Sequence, residues 1–236
     1  MSADPLERLR GSTRARVALG RAGDALPTSR LLELRAAHAA ARDAVHSPLD
    51  VDALAAELGG SPVRVTSAVS GRAEYLQRPD LGRRLAEATE LEAGEYDVVI
   101  VLADGLSPQA VHAHGAAMLR ALVERLDGWR IAPVVIATQA RVALGDEIAT
   151  GLAARSVVVL VGERPGMSST DSLGIYFTFD ARRGRRDSER NCLSNIRPPH
   201  GTGYEAAATT TAMLMAEAKR LGVSGVALKA DPALTT

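Results

Sequence analysis

Three runs of aliphatic residues restrict the fold of this chain more than any other feature. One of them, Val157–Val161, consists of five consecutive apolar residues and leads directly into the polar sequence Gly-Glu-Arg-Pro-Gly. A second run lies within Tyr96–Ser107 and a third begins at Ala132, with helix-length segments between the three. Uninterrupted Val, Ile and Leu strands with intervening helices are typical of a parallel sheet covered on both faces. The sequence therefore predicts an α/β fold.

The N-terminal part of the chain has a helical pattern instead. An arginine-rich stretch, Leu6–Gly23, precedes Pro27–Val45, in which apolar residues recur at helical spacing, and a short helix is predicted to end at Gly59. We therefore predict an N-terminal helical domain over residues 1–60. A Rossmann-like α/β domain with a mainly parallel sheet covered by helices is predicted over residues 61–236.

Weaker patterns predict the remaining elements. Tyr75–Gly94 reads as a loop and a helix, and Tyr176–Asp180 reads as a further strand. The charged stretch up to Arg190 is predicted to be an exposed loop. A closing helix is expected over Tyr204–Gly222, and a last edge strand is expected after it, starting at Ser224.

Composition excludes several classes of function. The 28 basic and 28 acidic residues balance, which argues against a nucleic-acid-binding protein with a broad positive surface. Cys192 is the only cysteine, so the chain cannot form an internal disulfide or a thiolate zinc cluster, and a reducing cytosol suits it. No segment approaches the roughly 18 apolar residues of a membrane span. The five histidines show no metal-ligand spacing with carboxylates, and we predict no metal site.

Three loops are predicted to meet at one edge of the sheet. In open parallel sheets, ligands bind beyond the carboxyl ends of the strands. Ala103–Ser107, Thr138–Glu147 and Gly162–Ser169 all follow predicted strands, and each contains glycine and polar or charged side chains. The sequence contains no phosphate-binding P-loop, no dinucleotide-binding glycine motif and no nucleophile elbow. We therefore predict a binding crevice without catalytic residues of its own.

Six stretches, spread in order over the chain, carry a resemblance to a known family. They are TRARVALGRAG (Thr13–Gly23), YLQRPDLGRRL (Tyr75–Leu85), VVIVLADGLS (Val98–Ser107), RVALGDEI (Arg141–Ile148), VVVLVGERPG (Val157–Gly166) and ERNCLSNIRP (Glu189–Pro198). Together they resemble the small subunit of adenosylcobalamin-dependent ethanolamine ammonia-lyase. The resemblance implies a two-subunit enzyme that converts ethanolamine to acetaldehyde and ammonia, with substrate and radical chemistry on a barrel-shaped large subunit. A chain of this kind helps to enclose the cobalamin, is inactive alone, and forms a higher hetero-oligomer with equal numbers of both chains.

The resemblance also implies particular cofactor contacts. Adenosylcobalamin is expected to contact the backbone of Val142, the side chain of Glu163, and Cys192. The corrin ring is fringed with neutral amides, so hydrogen-bond donors and acceptors suit it better than a charged clamp. Ala140 stands where the family tends to have glycine. A small difference in the turn before Val142 is therefore expected.

Several residues fit two interpretations. Glu163 and Arg164 fit either a ligand-binding loop or an ordinary solvated loop, in which the two side chains can form an ion pair with each other. Asp104 fits a helix cap or a cofactor contact, and Cys192 fits a cofactor contact or a small buried apolar residue. Arg141 fits a contact with the nucleotide phosphate of cobalamin or with a carboxylate of the large subunit. The N-terminal arginines fit a solvated face or an interface with the large subunit: Arg8, Arg10, Arg14, Arg16 and Arg21.

Two other functions compete with the small-subunit interpretation. One is a stand-alone nucleotide-binding α/β enzyme that acts on a phosphorylated metabolite. The other is a scaffold subunit that stabilises its partner without touching a cofactor. For the small subunit itself, a cytoplasmic location is expected, with a bacterial microcompartment as the second option.

Overall fold

The computed structural model of the chain describes Leu9, Thr13 and residues 15–228. The helices whose full extent is described are α1 (Thr28–His46), α2 (Val51–Leu58), α3 (Arg72–Gln77), α4 (Pro108–Val123), α5 (Leu144–Gly151) and α6 (Tyr204–Leu221). The strands are β1 (Val63–Thr66), β2 (Tyr96–Ala103), β3 (Val135–Thr138), β4 (Ala154–Gly162), β5 (Leu173–Phe179) and β6 (Asn191–Ile196). The prediction of an α/β fold is confirmed.

All six strands form one sheet in the order β1-β3-β2-β4-β5-β6. The first four strands in this order are parallel, and Val101 of β2 lies between Val135 of β3 and Val159 of β4. Strands β5 and β6 are added antiparallel at the other edge. The predicted mainly parallel sheet is therefore confirmed, whereas the label Rossmann-like stays a prediction.

The two faces of the sheet pack against different helices, which explains the uninterrupted apolar strands. Ile100 and Leu102 of β2 pack in a core with α4 and α6, whereas Val99 and Val101 pack in a second core with α5. Because successive side chains of a strand point to opposite faces, both sets must be apolar when both faces are covered. All four residues are at most 1% exposed.

The N-terminal segment departs in part from the prediction. Helix α1 matches the expected Pro27–Val45, but the described residues from Arg16 to Gly23 form no helix. Gly20 and Gly23 have positive φ angles of 76° and 63°, which a helix does not allow. The first part of the predicted helix, with Arg8, Arg10 and Arg14, lies outside the described residues. The domain boundary at residue 60 stays a prediction, although Leu54 of α2 is buried in the same core as the sheet.

The predicted helix in Tyr75–Gly94 is wrong apart from its first turns. Helix α3 ends at Gln77 and a short 3₁₀ helix covers Leu81–Arg83, after which the chain runs beside the end of β1. There the Ala86 amide donates to the carbonyl of Thr66 at 3.1 Å. Pairing with a sheet edge outweighs the local helix propensity of this alanine- and glutamate-rich stretch.

The C-terminal third contains two further corrections. Sequence analysis missed β6, which directly follows Arg190, and that arginine is 6% exposed rather than part of a solvated loop. Its guanidinium donates two hydrogen bonds, of 2.8 and 2.7 Å, to the buried carboxylate of Asp146. The expected edge strand after α6 is instead a 3₁₀ helix, Gly225–Ala227. The Asn191 amide nitrogen donates to the carbonyls of Gly225 and Leu228 and holds this segment in place.

The loops that follow β2 and β4 approach each other too closely for side chains. A Cβ on Gly162 would lie 2.0 Å from the carbonyl oxygen of Ser107, and one on Gly105 would lie 2.2 Å from that of Gly162. Gly105 also has a φ of 54°. Both glycines are therefore required by backbone contact between the two loops.

Replacing Gly162 by Ala should lower the free energy of unfolding by about 1–3 kcal/mol or more, because the added methyl group forces two backbones apart. The matched control is Gly203→Ala, where φ is −74° and no heavy atom lies within 4 Å of the added Cβ. That control should change stability by less than about 1 kcal/mol. Urea denaturation followed by circular dichroism measures both. Equal midpoints for the two variants would show that the loops can separate freely.

Candidate functional site

The three predicted loops meet at the carboxyl edge of the sheet. They follow β2, β3 and β4, which are parallel neighbours. The helix after β2 covers one face of the sheet and the helix after β3 covers the other, so the chain diverges here and leaves a crevice. A pocket of about 230 Å³ lies at this point. We call it the rim pocket; it is lined by Tyr75, Gly105, Leu106, Ala140, Arg141, Val142, Val161, Gly162, Glu163, Arg164 and Tyr176.

Asp104 holds two of these loops together. Its carboxylate accepts hydrogen bonds of 2.9 Å from the backbone amides of Gln139 and Ala140, in the loop after β3. It also forms an ion pair of 3.1 Å with Arg72 at the start of α3. Burial raises the pKa of Asp104, and the hydrogen bonds and Arg72 act against that rise. The proposed helix cap is wrong for Asp104, because the side chain of Ser107 caps α4.

Tyr75 forms the floor of the rim pocket between two arginines. Its ring is fully buried, and the guanidinium carbons of Arg72 and Arg141 lie 4.9 and 4.8 Å from the ring centre. Its hydroxyl donates to the carbonyl of Ala140 at 3.0 Å. Burial raises the pKa of Tyr75, so the ring stays neutral. The loop after β3 is therefore fixed by Asp104 and by Tyr75 together.

Glu163 lines the rim pocket, and much of its carboxylate is already engaged in hydrogen bonds. Oε2 accepts from the Ser172 hydroxyl at 2.5 Å and from the Asn195 amide at 3.1 Å, and Oε1 accepts from the Ser194 hydroxyl at 2.5 Å. The described residues show no ion pair between Glu163 and Arg164. A carboxylate has about four acceptor positions, so one on Oε1 remains for a ligand.

Val142 lies in the same pocket, just before α5. Its carbonyl accepts from the Gly145 amide, but its own amide makes no hydrogen bond within the part of the chain that the structure describes. The amide of the preceding residue, Arg141, donates to the carbonyl of Gly82 at 2.8 Å. The bond from Arg141 to Gly82 thus anchors the turn before α5, and the Val142 amide stays available as a donor.

Cys192 lies beside the rim pocket rather than in its wall. It is exposed, contrary to the alternative of a buried apolar residue, and it is opposite Tyr176 in the β5–β6 pairing. Tyr176 also lines the rim pocket, so this strand pairing places Cys192 next to a residue of the pocket wall. Loss of solvent around the thiol raises its pKa, which favours the neutral form. Tyr176 therefore connects Cys192 to the pocket.

A second cluster supports the segment that carries Ser172. The Nδ1 atom of His114 is 2.8 Å from the Tyr204 hydroxyl, and its Nε2 atom is 3.8 Å from a carboxylate oxygen of Asp171. The neighbouring Thr170 carbonyl accepts from the Ser107 hydroxyl at 2.6 Å. His114 is 7% exposed, and burial lowers its pKa, while Asp171 acts in the opposite direction.

Sequence analysis predicted Val142, Glu163 and Cys192 as cofactor contacts, and the structure places the first two in one pocket and Cys192 beside it. Sequence analysis missed the residues that hold them. Tyr75, Tyr176 and the serines that bond to Glu163 come from segments far apart in the sequence. The available signals were that Tyr75 opens one of the quoted motifs and that Ser194 lies within another, Glu189–Pro198. Among the described residues, no group of three or more His, Cys, Asp or Glu side chains could hold a metal ion.

The fold and the site define an α/β protein with a small pocket at the carboxyl edge of a mainly parallel sheet. The sequence model of the ethanolamine ammonia-lyase light chain (EutC) matches residues 3–229. The chain belongs to this family, as its sequence motifs predicted.

Individual relatives agree with the family match. The chain is 54% identical over 226 residues to the ethanolamine ammonia-lyase small subunit of Rhodococcus erythropolis, which covers 94% of this chain and 88% of the relative. It is 50% identical over 239 residues to the subunit of the same name from Ralstonia nicotianae, covering 96% and 88%. The chain is 46% identical over 247 residues to the ethanolamine ammonia-lyase small subunit of Pseudomonas syringae pv. tomato, and the alignment covers 99% of this chain and 86% of the relative.

The low pKa of His114 predicts a pH-dependent stability. Because His114 is held neutral in the folded protein, the unfolded chain takes up a proton more readily as the pH falls through about 6.5. The His114 contribution to stability is thus present above this pH and is lost below it. His114→Asn should flatten the loss of stability between about pH 7.5 and 5.5.

His200→Asn is the matched control, since His200 is exposed. It should keep the slope of the unmodified chain. Urea midpoints measured across the pH range would show the difference. Identical slopes for the unmodified chain and His114→Asn would mean that His114 is protonated equally in both states.

Proposed function

We propose that this chain, as the small subunit of a two-subunit ethanolamine ammonia-lyase, forms one wall of an adenosylcobalamin site with its rim pocket. The observation that carries the proposal is that a free backbone donor and a free carboxylate acceptor lie in one pocket. Val142 supplies the donor and Oε1 of Glu163 supplies the acceptor. Neutral amides, such as those around a corrin ring, need both kinds of group.

The size of the rim pocket supports a shared site. Pockets that enclose a whole small molecule usually measure about 300–1,000 Å³, and the rim pocket measures about 230 Å³. Cobalamin is much larger than this, so only an edge of it could enter the pocket. The rest of the cofactor would lie against the large subunit. A stand-alone nucleotide-binding enzyme is less consistent with this geometry.

Each predicted contact has a distinct role in the proposal. The Val142 amide donates to a cofactor oxygen, Glu163 accepts from a cofactor amide, and Cys192 with Tyr176 borders the corrin edge. The internal bonds of Glu163 to Ser172 and Ser194 orient its carboxylate before the cofactor arrives. Orientation in advance reduces the entropy lost on binding.

The bound cofactor would supply the radical chemistry, through cleavage of its cobalt–carbon bond. The residues of this chain bind and orient the cofactor and keep water from one side of it, and none is assigned a catalytic role. Ethanolamine would bind to the large subunit. We further propose a higher hetero-oligomer with equal numbers of the two chains.

The site of action is part of the same proposal. None of the described helices is long and apolar enough to cross a membrane. We propose a cytoplasmic enzyme, with a bacterial microcompartment as the second option. Fractionation of the native host grown on ethanolamine would distinguish the two locations.

Reconstitution tests the function as a whole. The chain should form no acetaldehyde from ethanolamine and adenosylcobalamin by itself, and activity should appear when the large subunit from the same source is added. The large subunit alone is the control. Binding of the two chains without any activity in the mixture would contradict the proposed function.

Glu163→Ala tests the cofactor contact. It should weaken adenosylcobalamin binding to the two-subunit complex about 10- to 150-fold, because a hydrogen bond to a charged group contributes about 1.5–3 kcal/mol. Affinity can be measured by titration and separation of free cofactor.

Glu57→Ala is the matched control for that variant. It removes an exposed carboxylate on α2 that does not line the rim pocket. The affinity should then change less than about threefold. If Glu163→Ala and Cys192→Ala both leave the affinity unchanged, the chain is a scaffold subunit without cofactor contacts.

A further inference from the structure

A second, wider depression opens beside the rim pocket, between α1 and the loops after β2, β3 and β4. Its volume is about 570 Å³. We call it the arginine cleft, because its lining includes Arg42, Arg141 and Arg164 together with His38, Leu106 and Met167. Leu106, Arg141 and Arg164 also line the rim pocket, so the two depressions are continuous.

Within the part of the chain that the structure describes, the arginines of the cleft have no partners of opposite charge. No acidic residue lines the cleft. Over the described residues, neither Arg42, Arg141 nor Arg164 forms an ion pair with a carboxylate. The Nε atom of Arg141 is buried and has no hydrogen-bond partner among the residues described. Buried donors are normally satisfied, so this atom points to an acceptor that another molecule supplies.

Apolar surface around the arginine cleft is also left uncovered. Helix α1 has 19 residues, and Ala44 is its only fully buried residue. Leu31, seven residues before the cleft residue His38 and on the same face of this helix, is 37% exposed, and Met167 at the cleft is 44% exposed. Helices in proteins owe most of their stability to packing of one face, which α1 lacks within the described chain.

We propose that the arginine cleft and the adjoining face of α1 dock an acidic segment of the large subunit, in which apolar residues are flanked by carboxylates. The proposal rests on the proposed function, which supplies the partner. Carboxylates of that segment pair with the arginines, and its apolar residues cover Met167 and Leu31. A small anion such as a phosphate would satisfy the arginines only and would leave the apolar surface exposed.

This docking also serves the cofactor site. Because Leu106, Arg141 and Arg164 belong to both depressions, a segment seated in the cleft lies at the mouth of the rim pocket. The same contact therefore joins the subunits and keeps solvent from one side of the cofactor. It also keeps Arg141 stacked on Tyr75.

Arg42→Glu is the test variant, because Arg42 lines the cleft and not the rim pocket. The affinity of the full chain for the large subunit is measured without cobalamin, at low and at high salt. Arg42→Glu should weaken the complex more than about tenfold at low salt, and the difference should shrink at high salt. Arg120→Glu on α4 is the matched control, since Arg120 is exposed and lines neither depression. It should change the affinity less than about twofold.

Each other outcome has a definite meaning. If Arg42→Glu binds the large subunit as tightly as the unmodified chain does, the docking proposal is wrong. If assembly is unchanged but the complex binds adenosylcobalamin more weakly, the arginines serve the cofactor phosphate, and docking is again wrong. An unmodified chain that does not bind the large subunit would contradict the proposed function itself. Circular dichroism of both variants verifies that they are folded.

Discussion

The carboxylate of Asp104 is buried at the carboxyl edge of the sheet, where its charge must be matched by donors within the protein. Two backbone amides from the loop after β3 and the Arg72 guanidinium provide them. Removing one partner of a buried ion pair typically costs about 3–5 kcal/mol, so these groups are strongly held together. Gln139 adopts a positive φ of 55° as part of this arrangement. The position of the loop before Val142, and with it the rim pocket, depends on this one charge.

Close contact between two backbone segments fixes the opposite wall of the pocket. Gly105 and Gly162 allow the loops after β2 and β4 to touch, and the Ser107 hydroxyl ties the Thr170 carbonyl to the start of α4. Glu163 comes directly after Gly162. Its carboxylate accepts hydrogen bonds from the hydroxyl groups of Ser194 in β6 and Ser172 just before β5. Both walls are thus rigid before any ligand binds. Such a pocket gains affinity because little order has to be created on binding.

The sequence predicted the parts of this arrangement that depend on local pattern. Runs such as Val157–Val161 identify buried parallel strands, and the loops that follow them must then share an edge. The partners of Glu163 could not be found in this way, since Ser194 and Asn195 are in β6, a strand that sequence analysis did not identify. The pairing of Arg190 with Asp146 likewise joins residues 44 positions apart. Side-chain contacts of this kind follow from the folded topology and have no periodic signal.

The distribution of satisfied charges explains how a chain with no net charge can present a cationic surface. Asp104 and Glu163 are close to the cleft in the fold, but internal donors occupy most of their acceptor positions. They therefore offer little to Arg42, Arg141 and Arg164, which form no ion pair within residues 15–228. The composition gives only the balance between acidic and basic residues. The fold determines which of these charges are paired within the protein and which are not. The unpaired charges set the local electrostatic field at the cleft. Electrostatic steering of a partner depends on that local field rather than on the net charge.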